Sequence, residues 1–202
     1  MHNTLPNTLH KTGCKTALLS GILWLAGCSD PAWQTKDISG LMPPLEFELI
    51  SEEAEPVSEA DYAGEVTLLF FGFTHCPHIC PATLANLAAI SGELDEAAQD
   101  DLQVLFVSVD PNRDDPATLR EYTDAFGPEF TGLTGDEDAL EALTRRYRVT
   151  YGYGKKDDAG NYDVSHSNAV FAFDRNGEAQ LLIRESDPKE AIVADLNRLL
   201  EI

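Results

Sequence analysis

Basic residues are scarce in this chain. Its 14 lysines and arginines stand against 35 aspartates and glutamates, a formal net charge of −21. A surface of that sign repels phosphate backbones and anionic lipid, which excludes nucleic acid as a partner; cations and basic protein surfaces are what it attracts. A salt-rich habitat produces the same balance. Long apolar runs are also missing. The stretch from Ala17 to Ala26 falls well short of the ~20 residues a membrane span requires. No glycine-rich phosphate loop, serine-centred triad motif, internal repeat or low-complexity block stands out, so nothing supports a nucleotide-binding enzyme, a serine hydrolase or a solenoid. Cysteine is rare as well. There are four, Cys14, Cys28, Cys76 and Cys80, and their placement organises the rest.

The first two lie in a targeting segment. Lys11 and Lys15 precede the apolar run, which ends in Leu25-Ala26-Gly27-Cys28. This resembles the bacterial lipoprotein signal, in which small residues precede a cysteine that is lipidated and becomes the first residue. The alternatives are an ordinary signal peptide or a short anchor helix, with Cys28 an idle thiol. On each of them the domain lies outside the cytoplasm, on the periplasmic side of a cell envelope, where disulfides are allowed. The chain thus divides into a signal peptide, 1–27, a flexible tether, 28–40, lipidated at Cys28 and holding the domain at the membrane, and one domain, 41–202. Cleavage leaves 12 basic residues against 35 acidic ones, a net −23. It also leaves His75, His78 and His166 as the histidines, and Cys76 and Cys80 as the only uncapped thiols. A single close dithiol in an oxidising compartment favours a switchable pair, because a disulfide across so short a loop restricts little unfolded-chain entropy.

Those thiols sit where a strand turns into a helix. Val66 to Phe73 is apolar, β-branched and aromatic without charge, a buried strand. From Pro81 to Leu94, apolar residues recur at Leu84, Leu87, Ala88 and Leu94, a helical spacing, with Pro81 suited to a first turn. Unpaired N–H groups and the partial positive charge at that helix end lower thiol pKa values. In a helical turn, residues four apart differ by about 40° around the axis, so Cys76 and Cys80 point the same way with Cα atoms about 6 Å apart. That suits a disulfide or a shared metal.

The remaining elements alternate. Leu45 to Ile50 reads as a strand and Ser51 to Glu59 as an acidic loop; Leu102 to Val109 is a second buried strand. Pro116 to Phe126 and Asp136 to Tyr147 are amphipathic helices, and the glycine- and lysine-containing stretch from Tyr151 to Asp163 is a surface hairpin or loop. Strands Ala169–Phe173 and Gln180–Ile183 flank an Asn176-Gly177 turn, and Pro188 to Leu200 closes the chain as a helix. Strand-helix-strand followed by strand-strand-helix is the layout of a thioredoxin-like α/β fold. It implies a central mixed sheet flanked by helices, with an N-terminal strand extension and an inserted hairpin or loop.

Three blocks then carry a family resemblance: Phe71-Gly72-Phe73-Thr74-His75-Cys76-Pro77-His78-Ile79-Cys80-Pro81, Phe106-Val107-Ser108-Val109-Asp110-Pro111-Asn112-Arg113-Asp114, and Val164-Ser165-His166-Ser167. With Phe130 to Gly135 between them, the chain from about Leu41 onward is similar to the Sco/SenC family of membrane-attached copper chaperones. The resemblance implies copper, as Cu(I) or Cu(II), held by Cys76, Cys80 and His166. It implies delivery to the dinuclear copper site of cytochrome c oxidase subunit II, or to another cuproprotein, with a periplasmic copper carrier or a thiol reductant as further partners. The family usually has acidic residues where His78 and Ser165 stand, so no role of those carboxylates carries over. The donor chemistry agrees: thiolates are soft donors suited to Cu(I), and imidazole suits either oxidation state.

Alternatives stand beside these assignments. A lone loop histidine such as His166 is ordinarily bonded to backbone. His78 points about 160° away from both thiols in a helical turn and is expected to be exposed, where it can contact a partner. His75 ends the strand and shapes the turn. Asp110, Arg113 and Asp114 form either a docking surface or a capped loop held by a salt bridge. A thiol–disulfide oxidoreductase would use the same dithiol, reducing the copper-site cysteines of the oxidase or acting in redox signalling, although such catalysts usually carry CxxC and need no distal histidine. A thiol peroxidase would require Pro-x-x-x-Thr-x-x-Cys, and Thr74 is two residues before Cys76. A structural zinc site would want a fourth protein ligand.

Overall fold

The computed structural model describes residues 1–2, 32–158 and 160–201. Cys14, Cys28 and the expected signal lie outside the described residues, among which no helix is long and apolar enough to cross a membrane. From Ala32 onward the chain forms one compact unit.

In chain order the elements are β1 (Lys36–Asp37), β2 (Glu48–Ser51), β3 (Pro56–Ser58), a 3₁₀ turn (Glu59–Tyr62), β4 (Val66–Gly72), α1 (Ile79–Ser91), α2 (Glu96–Gln99), β5 (Leu102–Ser108), α3 (Pro116–Thr123), β6 (Phe130–Thr134) and α4 (Glu137–Arg146). They are followed by β7 (Tyr151–Tyr153), β8 (Val164–His166), β9 (Val170–Phe173), β10 (Ala179–Ile183) and α5 (Lys189–Leu200). One eight-stranded sheet runs β1-β10-β9-β4-β5-β6-β2-β3, while among the described residues β7 and β8 pair only with each other. Strands β4, β5 and β6 are parallel, as helical crossovers require, and β9 lies antiparallel to β4. All seven residues of β4 are buried, as their unbroken apolar run requires of a strand covered on both faces. Phe70 faces Phe106 across the β4–β5 register, and Phe71, Phe173 and Tyr147 complete an aromatic core. This is the mixed thioredoxin-like sheet expected from the alternation of elements.

Helix starts follow the capping residues. Asp115 and Asp136 each accept a backbone N–H three residues on, Thr118 and Ala139, and Pro116 occupies the first turn of α3. Helix α1 begins at Ile79, two residues before Pro81, so Cys80 is helical and Cys76 lies in the turn ahead of it. The strand expected from Leu45 pairs only over Glu48–Ser51, although Leu45, Phe47 and Leu49 are all buried, as their alternation implies.

The expected tether needs correction. The stretch from Gln34 to Ser39 belongs to the folded unit. The backbone N–H groups of Gln34 and Thr35 and the Thr35 hydroxyl donate to the buried Asp195 carboxylate at 2.7–3.0 Å, β1 pairs with β10, and Arg198 lies 3.9 Å over the Trp33 ring. Polarity in this segment marks bonding to a carboxylate on α5, far along the chain, and only residues 28–31 of the expected tether remain outside the described region. Asp195→Ala leaves a buried N–H and hydroxyl without an acceptor and is expected to cost about 1–3 kcal/mol. Urea unfolding, with amide exchange at Thr35 and Ile38, measures it; an unchanged midpoint and unchanged protection would contradict the anchoring role.

Candidate metal centre

Two thiols and one imidazole converge at the carboxyl end of β4. One ligand atom from each of Cys76, Cys80 and His166 lies within 4.8 Å of the other two. Cys80 Sγ stands 3.3 Å from His166 Nε2, and the Cys80 backbone N–H donates to Cys76 Sγ at 3.4 Å. Cys80 is fully buried, whereas Cys76 retains 9% exposure and lines a cleft with Phe73, His75, His78, Tyr162 and His166.

Each of the three side chains is placed by a separate local cause. Cys80 backs onto Gly72 and Phe106: a Cβ at Gly72 would lie 2.7 Å from the Cys80 sulfur and 2.6 Å from the Phe106 ring, so only glycine admits both. The turn bearing Cys76 hangs on Asp114, a fully buried carboxylate. Asp114 accepts from the Thr74 backbone N–H at 2.9 Å, the Thr74 hydroxyl at 2.6 Å and the Ser108 hydroxyl at 2.6 Å. His166 ends β8, its ring edge-on to Phe73 at 5.6 Å and to Phe70 at 6.1 Å. Its Nδ1 is 2.9 Å from the Ser167 carbonyl oxygen. A carbonyl only accepts, so Nδ1 donates to it, and Nε2 is the ring nitrogen turned toward the sulfurs, the one placed to meet a metal.

The two thiols are chemically unequal. Burial pushes the Cys76 thiol up, but hydrogen bonds from His166 and from the free N–H groups of Cys80 and His78 in the first turn of α1 outweigh it and bring the pKa down to about 7. Burial dominates at Cys80 and raises its pKa strongly, with the neighbouring Cys76 adding to the shift. Both are free thiols in this structure. The outer sulfur is therefore the more readily ionised of the two, and the inner one holds its proton more tightly.

Of the other sequence candidates, His78 caps α1 without a side-chain hydrogen bond and is exposed, as expected. His75 is exposed, with Nδ1 3.1 Å from the Thr74 hydroxyl and 3.6 Å from Asp114. The docking reading of Asp110, Arg113 and Asp114 is corrected: both carboxylates are fully buried, and Asp110 accepts from Arg113 Nε at 2.5 Å, the capped-loop alternative. Gly72 and Tyr162 were not singled out by the sequence as site residues. Gly72 does stand inside the thiol block, and a glycine in an otherwise bulky buried strand is the signal of a close approach.

The SCO1/SenC family model matches residues 42–201. The chain belongs to the SCO1/SenC family. Among family relatives, it is 37% identical over 156 residues to the mouse mitochondrial protein SCO2 homolog, covering 76% of this chain and 60% of that one. To the human mitochondrial protein SCO1 homolog it is 34% identical over 151 residues, covering 74% and 50%. The chain therefore spans about half to three-fifths of the length of these two relatives. A crystal structure of Arabidopsis thaliana ScoI with copper bound superposes with a TM-score of 0.72 at 31% identity, covering 78% of this chain and 98% of that one.

The inequality of the thiols is testable by alkylation. In the reduced SCO1/SenC-family domain, iodoacetamide labelling of Cys76 is expected to accelerate as pH rises through about 7, where the thiolate forms, and to be lost below it, with Cys80 slow throughout. Equal labelling of both residues with a midpoint near the ordinary thiol value would contradict the assignment.

Proposed function

We propose that this chain is a copper metallochaperone that holds one copper ion through Cys76, Cys80 and His166. The observation that carries the reading is the 3.3 Å approach of Cys80 Sγ and His166 Nε2 across 86 sequence positions. Two soft thiolates suit Cu(I); the added imidazole also serves Cu(II). The copper-bound Arabidopsis relative supports the choice of metal. Copper is cargo in this reading. It is passed by ligand exchange, an incoming thiolate taking the place of the outer Cys76 sulfur before the buried Cys80 lets go. The recipient is the dinuclear copper site of cytochrome c oxidase subunit II, the target implied by the sequence blocks of the family. The lipoprotein-like Leu25-Ala26-Gly27-Cys28 supports anchoring through lipid on Cys28, with the domain on the periplasmic side. A Cys76–Cys80 disulfide removes both sulfur donors and couples metal release to redox state.

One observation favours a second reading, a thiol–disulfide oxidoreductase acting on the copper-site cysteines of the oxidase. The depressed Cys76 pKa beside a buried partner is the arrangement of an attacking and a resolving thiol. Metal titration of the reduced domain separates the two. His166→Ala is expected to weaken Cu(II) binding by more than the 10–100-fold typical of losing an outer-sphere partner, while leaving dithiol reductase activity in place. Unchanged copper affinity beside intact reductase activity would favour the oxidoreductase.

A further inference from the structure

The segment that carries His166 is not part of the main sheet. Strands β7 and β8 pair only with each other among the described residues, Tyr151 opposite His166 and Tyr153 opposite Val164. Val164 is buried in the core with Tyr151 packed against it, and a set of polar contacts ties the hairpin to the loop between β5 and α3. The Tyr162 hydroxyl donates to Asp110 Oδ1 at 2.5 Å, Arg113 Nη1 donates to the Tyr162 carbonyl at 3.1 Å, and the Tyr153 hydroxyl donates to the Val109 carbonyl at 2.5 Å. The Arg113 guanidinium lies 3.8 Å over the Tyr162 ring and 5.7 Å over Phe73, against which His166 itself packs. Asp110 has no exposed surface, and its second oxygen is held by Arg113 Nε at 2.5 Å. A buried carboxylate with one fixed cation is a costly arrangement unless its remaining lone pairs are satisfied, and the Tyr162 hydroxyl satisfies one.

The same short loop thus grips both halves of the centre. Asp114 holds the thiol turn through Thr74, and Asp110 holds the histidine hairpin through Tyr162, four residues apart on one backbone segment. We propose that Asp110, Arg113 and Tyr162 are a latch that sets the position of His166 against the thiol pair, and thereby decides how well the domain holds Cu(II) relative to Cu(I). Tyr162 is a positioning residue here, acting through the hairpin. This inference rests on the copper reading for its metal, though its structural half does not. The selectivity follows from coordination chemistry: two thiolates satisfy Cu(I), which accepts low coordination, whereas Cu(II) prefers a tetragonal set and depends on the imidazole. Loosening His166 therefore costs the oxidised ion and spares the reduced one.

Tyr162→Phe tests the latch, because it keeps the ring against Arg113 and deletes only the hydroxyl. Cu(II) affinity is expected to fall about 10- to 100-fold, the range for outer-sphere partners, while Cu(I) affinity against a chelating competitor changes by less than about threefold. The sulfur-to-Cu(II) charge-transfer absorption shifts with the loss, and amide exchange at Val164, Ser165 and His166 in the metal-free protein accelerates more than at Leu69 and Phe70 of β4. Equal loss of both ions, with exchange accelerated as much in β4 as in the hairpin, would make Tyr162 a fold residue and overturn the latch. So would unchanged Cu(II) affinity with unchanged exchange. If the unsubstituted chain binds no copper at all, the copper reading fails on its own account, and the exchange measurement still decides whether Tyr162 holds the hairpin.

Discussion

A sulfur and an imidazole nitrogen, from residues 86 positions apart, stand 3.3 Å from each other at the end of the central strand. The rest of the molecule can be understood as what keeps them there. Helix α1 must start at Ile79 so that Cys80 faces inward, and β4 must end in Gly72 because any side chain there would occupy the space of the Cys80 sulfur. The Ser167 carbonyl must accept from Nδ1 so that the opposite ring nitrogen faces the sulfurs. None of these is a strong interaction alone. Together they place three donors before any metal arrives, so that little of the binding free energy is spent on ordering ligands.

Charge and burial divide the work. An overall −21 raises the local concentration of cations without choosing among them, and the soft donors do the choosing. Within the centre, Cys76, which keeps a little exposure, is the more easily deprotonated thiol and the fully buried Cys80 is not. That asymmetry suits stepwise exchange, in which an outer sulfur can be replaced while an inner one retains its hold. Two buried carboxylates, Asp110 and Asp114, form the frame behind both halves, which makes the loop after β5 part of the site although it contributes no ligand.

How much of this was legible in the sequence depended on the range of the interactions. The uncharged run of β4, the helix behind the thiols and the Asn176-Gly177 turn are local patterns, and each formed as its pattern implies. The family blocks carried His166, but no periodicity revealed that it ends a strand: β8 has three residues, too few to show alternation. Polar residues were misread where their partners lie far away. The segment from Gln34 to Ser39 looked solvated because Asp195 is some 160 positions distant, and for Asp110 and Asp114 the sequence left a docking surface and a capped loop open, which only their distant hydroxyl partners decide. Charge in sequence says what a side chain carries; only packing says whether water reaches it.

The central claim is that copper is held by two sulfurs of one turn and one imidazole from a distant hairpin. X-ray absorption spectroscopy of the copper-loaded domain reads that coordination directly. The account predicts two sulfur neighbours and one nitrogen with imidazole scattering per copper, at one copper per chain. Sulfur-only coordination without an imidazole signal, or copper bound between two chains, would contradict it.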